Sequence, residues 1–183
     1  MNKLGKWIFI LFGAGLFLSG IVQFVIIPKQ DAAAEQYENE QKHPLTHDLD
    51  YIIRYKNDYM GNASNTTQLF YHLPHGETVK DFELNSDDLE VIVHYANSVK
   101  NIGTVKVQQN LVYNSTAAFA LIANLEKITY HFRDETFSID RKAVEKLYGG
   151  LGNLIENKDI WNKRVRDPLA DKNVIKERFS LFD

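Results

Sequence analysis

Residues Asn114–Asp140 read NSTAAFALIANLEKITYHFRDETFSID, and this stretch decides the fold. Asn114 opens a helix over Ser115–Asn124 that is apolar nearly all round, through Ala117, Ala118, Phe119, Ala120, Leu121, Ile122 and Ala123. A helix without a polar stripe is a buried helix, and its alanines allow close approach to a sheet. Ile128, Tyr130 and Phe132 then alternate as a strand, with Phe137 and Ile139 as its partner beyond the turn Arg133-Asp134-Glu135. Asp140 caps a helix that runs to Tyr148, where Gly149-Gly150-Leu151-Gly152 breaks it. Helix against strands of this kind is α+β.

Outward from that stretch the same logic applies. Upstream, Val79, Phe82 and Leu84 form one strand run, and Leu89, Val91, Val93 and Tyr95 a second. Asn85-Ser86-Asp87-Asp88 is a polar hairpin connection. Ser98–Gln109 is looser, with one more strand expected at Gly103–Val107. Earlier still, Thr46 or Asp48 caps a first helix carrying Leu49 and Ile52 toward Tyr59, with Gly61 as its stop. Asn65 caps a second helix over Thr66–Leu73, which Pro74 ends. Downstream, two charged helical segments, Leu154–Val165 and Asn173–Leu181, flank Pro168. The expectation is one α+β domain over residues 46–183, an antiparallel or mixed sheet packed by helices.

At the other end of the chain, Lys3 and Lys6 precede Trp7–Ile27, 21 residues without a charge. A helix of that length covers a hydrocarbon core of roughly 30 Å. The expected layout is a cytoplasmic stub at 1–6, a transmembrane anchor at 7–27, a polar tether at 28–45, and an exported domain. A retained signal anchor is the favoured reading; Ala32-Ala33-Ala34 supplies a cleavage site for the alternative. The expected location is the cell membrane, single-pass, with the C-terminal domain extracytoplasmic.

Composition excludes several classes. The 183 residues contain no cysteine, so disulfide frameworks, thiol catalysis and thiolate zinc sites are absent. Removing Lys3 and Lys6 from 21 basic residues, against 24 acidic, leaves the remainder at net −5. That balance offers no concentrated positive face for nucleic acid.

The blocks Tyr59-Met60-Gly61-Asn62, Leu73-Pro74-His75-Gly76, Leu111-Val112-Tyr113-Asn114-Ser115 and Phe119–Leu125 followed by Ile128-Thr129-Tyr130 resemble an uncharacterised domain family of Gram-positive bacteria. The resemblance covers Asp48 to Tyr148 and implies membrane anchorage in the cell envelope. It brings no catalytic residue.

Candidate chemistry is sparse. His43-x3-His47 and His72-x2-His75 have spacings that metal ligands use, but neither pair lies on a clear helix. Ser115 and Thr116 lack a neighbouring base. The carboxylates Glu83, Asp87, Asp88, Glu90, Asp134 and Glu135 fall in polar turns. No metal and no cofactor are expected. Tyr51, Tyr55 and Tyr59, four residues apart, are the candidate ligand-binding residues, with Tyr95 or Tyr113 nearby, because tyrosine combines a large face with a polar tip. The resulting reading is a non-enzymatic binding or sensing domain for an envelope ligand or a membrane-protein partner. Its alternatives are an envelope hydrolase using carboxylate or histidine chemistry, and a structural partner of another membrane protein.

Overall fold

The computed structural model describes residues 3–183, without the side chains of residues 3, 5, 6, 8–10, 13, 14, 16 and 25. Two compact units divide between Asn39 and Glu40. The first holds helix α1 (Lys3–Ile21), a π turn at Val22–Ile26, and most of α2 (Ile27–Glu40). Large apolar side chains of α1, among them Trp7, Leu11, Phe12 and Phe17, are exposed. Among the described residues no helix is long and apolar enough to cross a membrane. The segment read as a tether is helical up to Glu40, and that helix buries no side chain, whereas Gln41 and Pro44 beyond it are buried. Alanine, glutamate and glutamine favour that state, and Pro28, which has no N–H to donate, lies just beyond the π turn that joins α1 to α2.

The second unit begins with short pieces. Asp48 caps α3 (Leu49–Ile52), its carboxylate accepting from the Asp50 amide at 3.0 Å. A single 3-10 turn, Ile53–Tyr55, follows, and the helix expected to reach Tyr59 stops there. The reason is tertiary. The Asn57 amide donates to the Leu121 carbonyl at 2.8 Å, and the Asn57 carbonyl accepts from Ala123 at 2.9 Å, so the chain leaves the helix to bridge another segment. Helix α4 (Ala63–His72) starts from Asn62 rather than Asn65; Asn65 instead donates to the Tyr55 carbonyl at 2.6 Å.

Strands β1 (Val79–Asn85), β2 (Glu90–Tyr95), β3 (Lys127–His131) and β4 (Thr136–Asp140) form one mixed sheet in that order. β1 and β2 are antiparallel, β2 and β3 parallel, β3 and β4 antiparallel. A parallel neighbour needs a long crossover. It is supplied by α5 (Val99–Ile102) and α6 (Thr104–Leu121), so Gly103–Val107, read as a strand, is the start of a helix. The apolar helix therefore begins ten residues before Asn114, which is interior and donates to the Pro74 carbonyl at 2.9 Å.

Alternation sends Val91, Val93 and Tyr95, with Ile128, Tyr130 and Ile139, onto the face covered by α6. The Ser115 hydroxyl on α6 meets the Tyr130 hydroxyl at 2.9 Å, which fixes helix against sheet. Two glycines are required by the backbone. A Cβ at Gly76 would lie within 3 Å of the Phe70 carbonyl oxygen, and Gly149 stops α7 (Arg141–Tyr148) at φ +69°. The first charged C-terminal segment is broken into a 3-10 turn, α8 (Lys158–Trp161) and a π turn at Asn162–Arg166; the second is α9 (Lys172–Phe179).

Leu121 is 1% exposed at the end of α6. Leu121→Ala is expected to cost about 2–5 kcal/mol, read from the denaturant midpoint of the detergent-solubilised chain. A midpoint unchanged from wild type would remove α6 from the centre of the core.

Candidate functional site

Because strand side chains alternate, a sheet with one buried face presents its other residues on the opposite face. Here that second face carries polar and titratable groups in register. Asp81, His94, His131 and Thr136 stand in one row across all four strands, since Asp81 pairs with His94, His94 with His131, and His131 with Thr136. The row is wired. His94 Nε2–H donates to Glu83 Oε1 at 2.7 Å. The two imidazoles stack with centroids 5.0 Å apart and planes 13° from parallel. His131 Nδ1 shares a 2.9 Å hydrogen bond with Thr136 Oγ1. A cleft of about 270 Å³ opens over this row, rimmed by Lys80 and Arg133. Toward the other end of the face, Glu90 accepts from Thr129 at 2.6 Å and pairs with Lys127 at 3.3 Å, beside a cleft of about 450 Å³ that also receives Asp88, Glu126, Asp140 and Lys142. Ile92 lies half-buried between the two ends.

The tyrosines singled out from sequence are placed differently from one another. Tyr51 and Tyr55 come together around His72, with ring centroids 5.3 and 5.0 Å from the imidazole. The Arg54 guanidinium lies over both rings, at 5.6 and 5.1 Å. Tyr59 is not part of this cluster's helical face, because the helix ends at Tyr55; its side chain is 68% exposed. Tyr95 and Tyr113, expected beside them at the surface, are buried instead. Burial pushes both phenols well above their ordinary range.

Of the spaced histidine pairs, neither makes a joint ligand set. His47 is buried while His43 is exposed. His47 Nε2 lies 3.0 Å from the His72 carbonyl, which only accepts, so Nε2 carries the proton. Nδ1 then accepts from the Tyr113 hydroxyl at 2.9 Å, and that oxygen accepts the Trp161 indole N–H at 3.0 Å. Burial pushes the His47 imidazole down to about 4. His72 Nδ1 donates to the Gln68 carbonyl at 2.7 Å, and His75 adopts φ +69° and stacks on Tyr95. Among the described residues no three His, Asp or Glu side chains form a metal-holding group.

The other polar candidates have structural partners. Thr116 bonds back to the Val112 carbonyl at 2.8 Å within α6. Asp134 caps α5, its two oxygens accepting from the Val99 and Lys100 amides at 2.7 and 3.2 Å.

His94 and His131 escape a reading by short spacing, since strand register alone joins them. The available signal was parity: each occupies the outward position of a strand whose inward positions are Val91, Val93, Ile128 and Tyr130.

The class defined so far is a two-layer α+β domain with helices on one sheet face and a polar, histidine-bearing row on the other. A family described as a domain of unknown function (DUF4825) matches residues 52–143, half of the chain, and the chain belongs to that family. The matched segment contains the entire sheet. No curated protein and no solved structure matches the chain.

Proposed function

We propose that the protein is a membrane-anchored, extracytoplasmic binding or sensing module that does no chemistry of its own and meets its ligand on the polar face of the sheet. The observation that carries the binding surface is the registered row Asp81–His94–His131–Thr136, with Glu83 bonded into it: titratable side chains held in a fixed arrangement and half open to solvent. Tyr51 and Tyr55 are already engaged with His72 and Arg54, which makes them a support for the helical layer. Anchorage over residues 7–27 rests on the charge-free run after Lys3 and Lys6, and on the exposed Trp7, Leu11, Phe12, Phe17 and Phe24, since large apolar side chains in such density are unfavourable in water.

Protease added to intact protoplasts of a bacterial host is expected to remove the unit that begins at Glu40 and leave a small membrane fragment. A fully protected chain would reverse the orientation. A photo-crosslinking amino acid at Ile92, on the polar face, is expected to capture a partner that the same group at Val105, exposed on α6, does not. Equal capture at both positions would refute the surface assignment.

A further inference from the structure

Three residues around the turn Pro74-His75-Gly76 carry buried side-chain atoms with no hydrogen-bond partner among the described residues: His75 Nε2, Asn114 Oδ1, and both Nδ2 and Oδ1 of Asn110. The residues are 8%, 1% and 2% exposed. A buried polar atom without a partner has given up its hydration for nothing, so such atoms are rare in folded proteins. Asn110 is the extreme case, because its whole carboxamide is unmatched.

Their positions converge. Asn114 Nδ2 donates to the Pro74 carbonyl at 2.9 Å, and the same amide group faces the Tyr95 hydroxyl. His75 stacks on the Tyr95 ring, centroids 5.6 Å apart, so imidazole and carboxamide meet on one side chain. Lys106, Asn110 and Asn114 stand one helical turn apart on a single face of α6. Burial lowers the His75 imidazole, Glu77 opposes that, and Lys106 adds to it, which places Lys106 beside the turn as well. Asn110 therefore lies between two residues that both reach Pro74-His75. The turn cannot shift to supply the missing partners itself. Its Pro74 carbonyl is fixed by Asn114, and Gly76 packs directly on the Phe70 and Tyr71 carbonyls.

We infer that α6 and the Pro74–Gly76 turn enclose a buried hydration site, in which ordered water bridges His75, Asn110 and Asn114. The chemistry of the lining selects water. All three side chains are uncharged at neutral pH, which excludes an ion. His75 Nδ1 is the ring nitrogen nearer Glu77, at 3.8 Å, so the proton belongs there and Nε2 offers a lone pair. The lining then presents acceptors at His75 Nε2 and Asn114 Oδ1, and a donor at Asn110 Nδ2. One water donates to the first two and accepts from the third, the three hydrogen bonds typical of a buried water. The bridge fastens α6 to the turn from which β1 starts, at a point where direct side-chain bonds do not.

The full chain in detergent, labelled with nitrogen-15 asparagine, tests this by water-to-amide Overhauser spectroscopy. The Asn110 and Asn114 carboxamides are expected to show cross-peaks to the water line whose laboratory-frame and rotating-frame enhancements have opposite signs, the signature of a long-lived water. The cross-peaks are expected to persist in Tyr95→Phe, and their loss there would trace them to exchange through the hydroxyl and overturn the site. Asn110→Leu, close to isosteric, gives an independent reading by its sign. Removing one partner of a bridged water leaves His75 and Asn114 poorly matched, so the urea midpoint is expected to fall. Removing a carboxamide that has no partner at all would raise it. Circular dichroism verifies that each variant is folded. Absent cross-peaks in the wild-type chain, or a raised midpoint in Asn110→Leu, overturns the hydration site.

Discussion

Arg141→Ala is expected to lower stability by about 3–5 kcal/mol, more than any surface substitution in the chain. Arg141 is the first residue of α7, and its side chain is turned inward. The guanidinium donates from Nε to the Leu125 carbonyl at 2.6 Å and from one terminal nitrogen to the Phe119 carbonyl at 2.8 Å and to the Ile122 carbonyl. The other terminal nitrogen reaches Glu145 at 3.2 Å. Phe119 and Ile122 lie at the end of α6, where carbonyls have no intrahelical partner, so Arg141 acts as the cap that the sequence lacks there. Its charge also lies 5.5 Å from the centre of the Phe119 ring. Removal leaves several buried carbonyls unmatched at once, each costing about 1–3 kcal/mol before relaxation. Arg141→Lys is informative, because an ammonium matches the charge but cannot present the planar fork. It is expected to recover less than half of the loss in urea unfolding. Full recovery by lysine would show that charge, not the fork, stabilises the end of α6.

The position of Arg141 also shows what a sequence reading reaches. The start of a helix after Asp140 and its stop at Gly149 were legible, the stop because left-handed glycine is local chemistry, although the Asp140 side chain makes no capping hydrogen bond. The four strands were legible for the same reason, since Val91/Val93/Tyr95 and Ile128/Tyr130 alternate without interruption. The start of α6 was not. Val105 and Val107 are β-branched and alternate, which locally favours a strand, yet the parallel pairing of β2 with β3 requires a long crossover and makes that segment helical. The first helix failed in the opposite sense: residues up to Tyr59 have helical spacing, but Asn57 bonds to both sides of Ile122 instead. The site is harder still. His94 and His131 are brought together by register across a crossover, and a one-residue slip would have sent both into the core. Nothing within a window of a few residues contains that information.

The same long-range logic joins His47, Tyr113 and Trp161, and it makes a pH experiment decisive. In the folded chain burial holds the His47 imidazole down to about 4, against an ordinary value of 6.5. The unfolded chain therefore binds a proton at His47 before the folded chain does, and stability rises with pH across that interval. The contribution is complete above about pH 6.5, declines as pH falls toward 4, and is flat below. A shift of this size corresponds to about 3 kcal/mol. The physical cause is visible in the network. Nδ1 must accept from the Tyr113 hydroxyl, whose oxygen already receives the Trp161 N–H; a protonated Nδ1 would face a hydroxyl with its own hydrogen pointed at it. Asp48 is the nearby carboxylate that favours the charged ring, but its own carboxylate is engaged at 2.6 Å by Lys158 and does not offset burial. His75, also lowered by burial, adds a loss of the same sign. Urea midpoints of the detergent-solubilised chain measured from pH 7.5 to 4.5 are expected to fall steadily, and His47→Gln is expected to flatten most of that fall while lowering stability at pH 7.5. Nitrogen-15 shifts of the His47 ring give a second reading that needs no variant: the ring stays neutral at pH 5.5 in the folded chain. A ring that titrates near 6.5 while the protein remains folded would show that His47 is not sealed between Tyr113 and the end of α4.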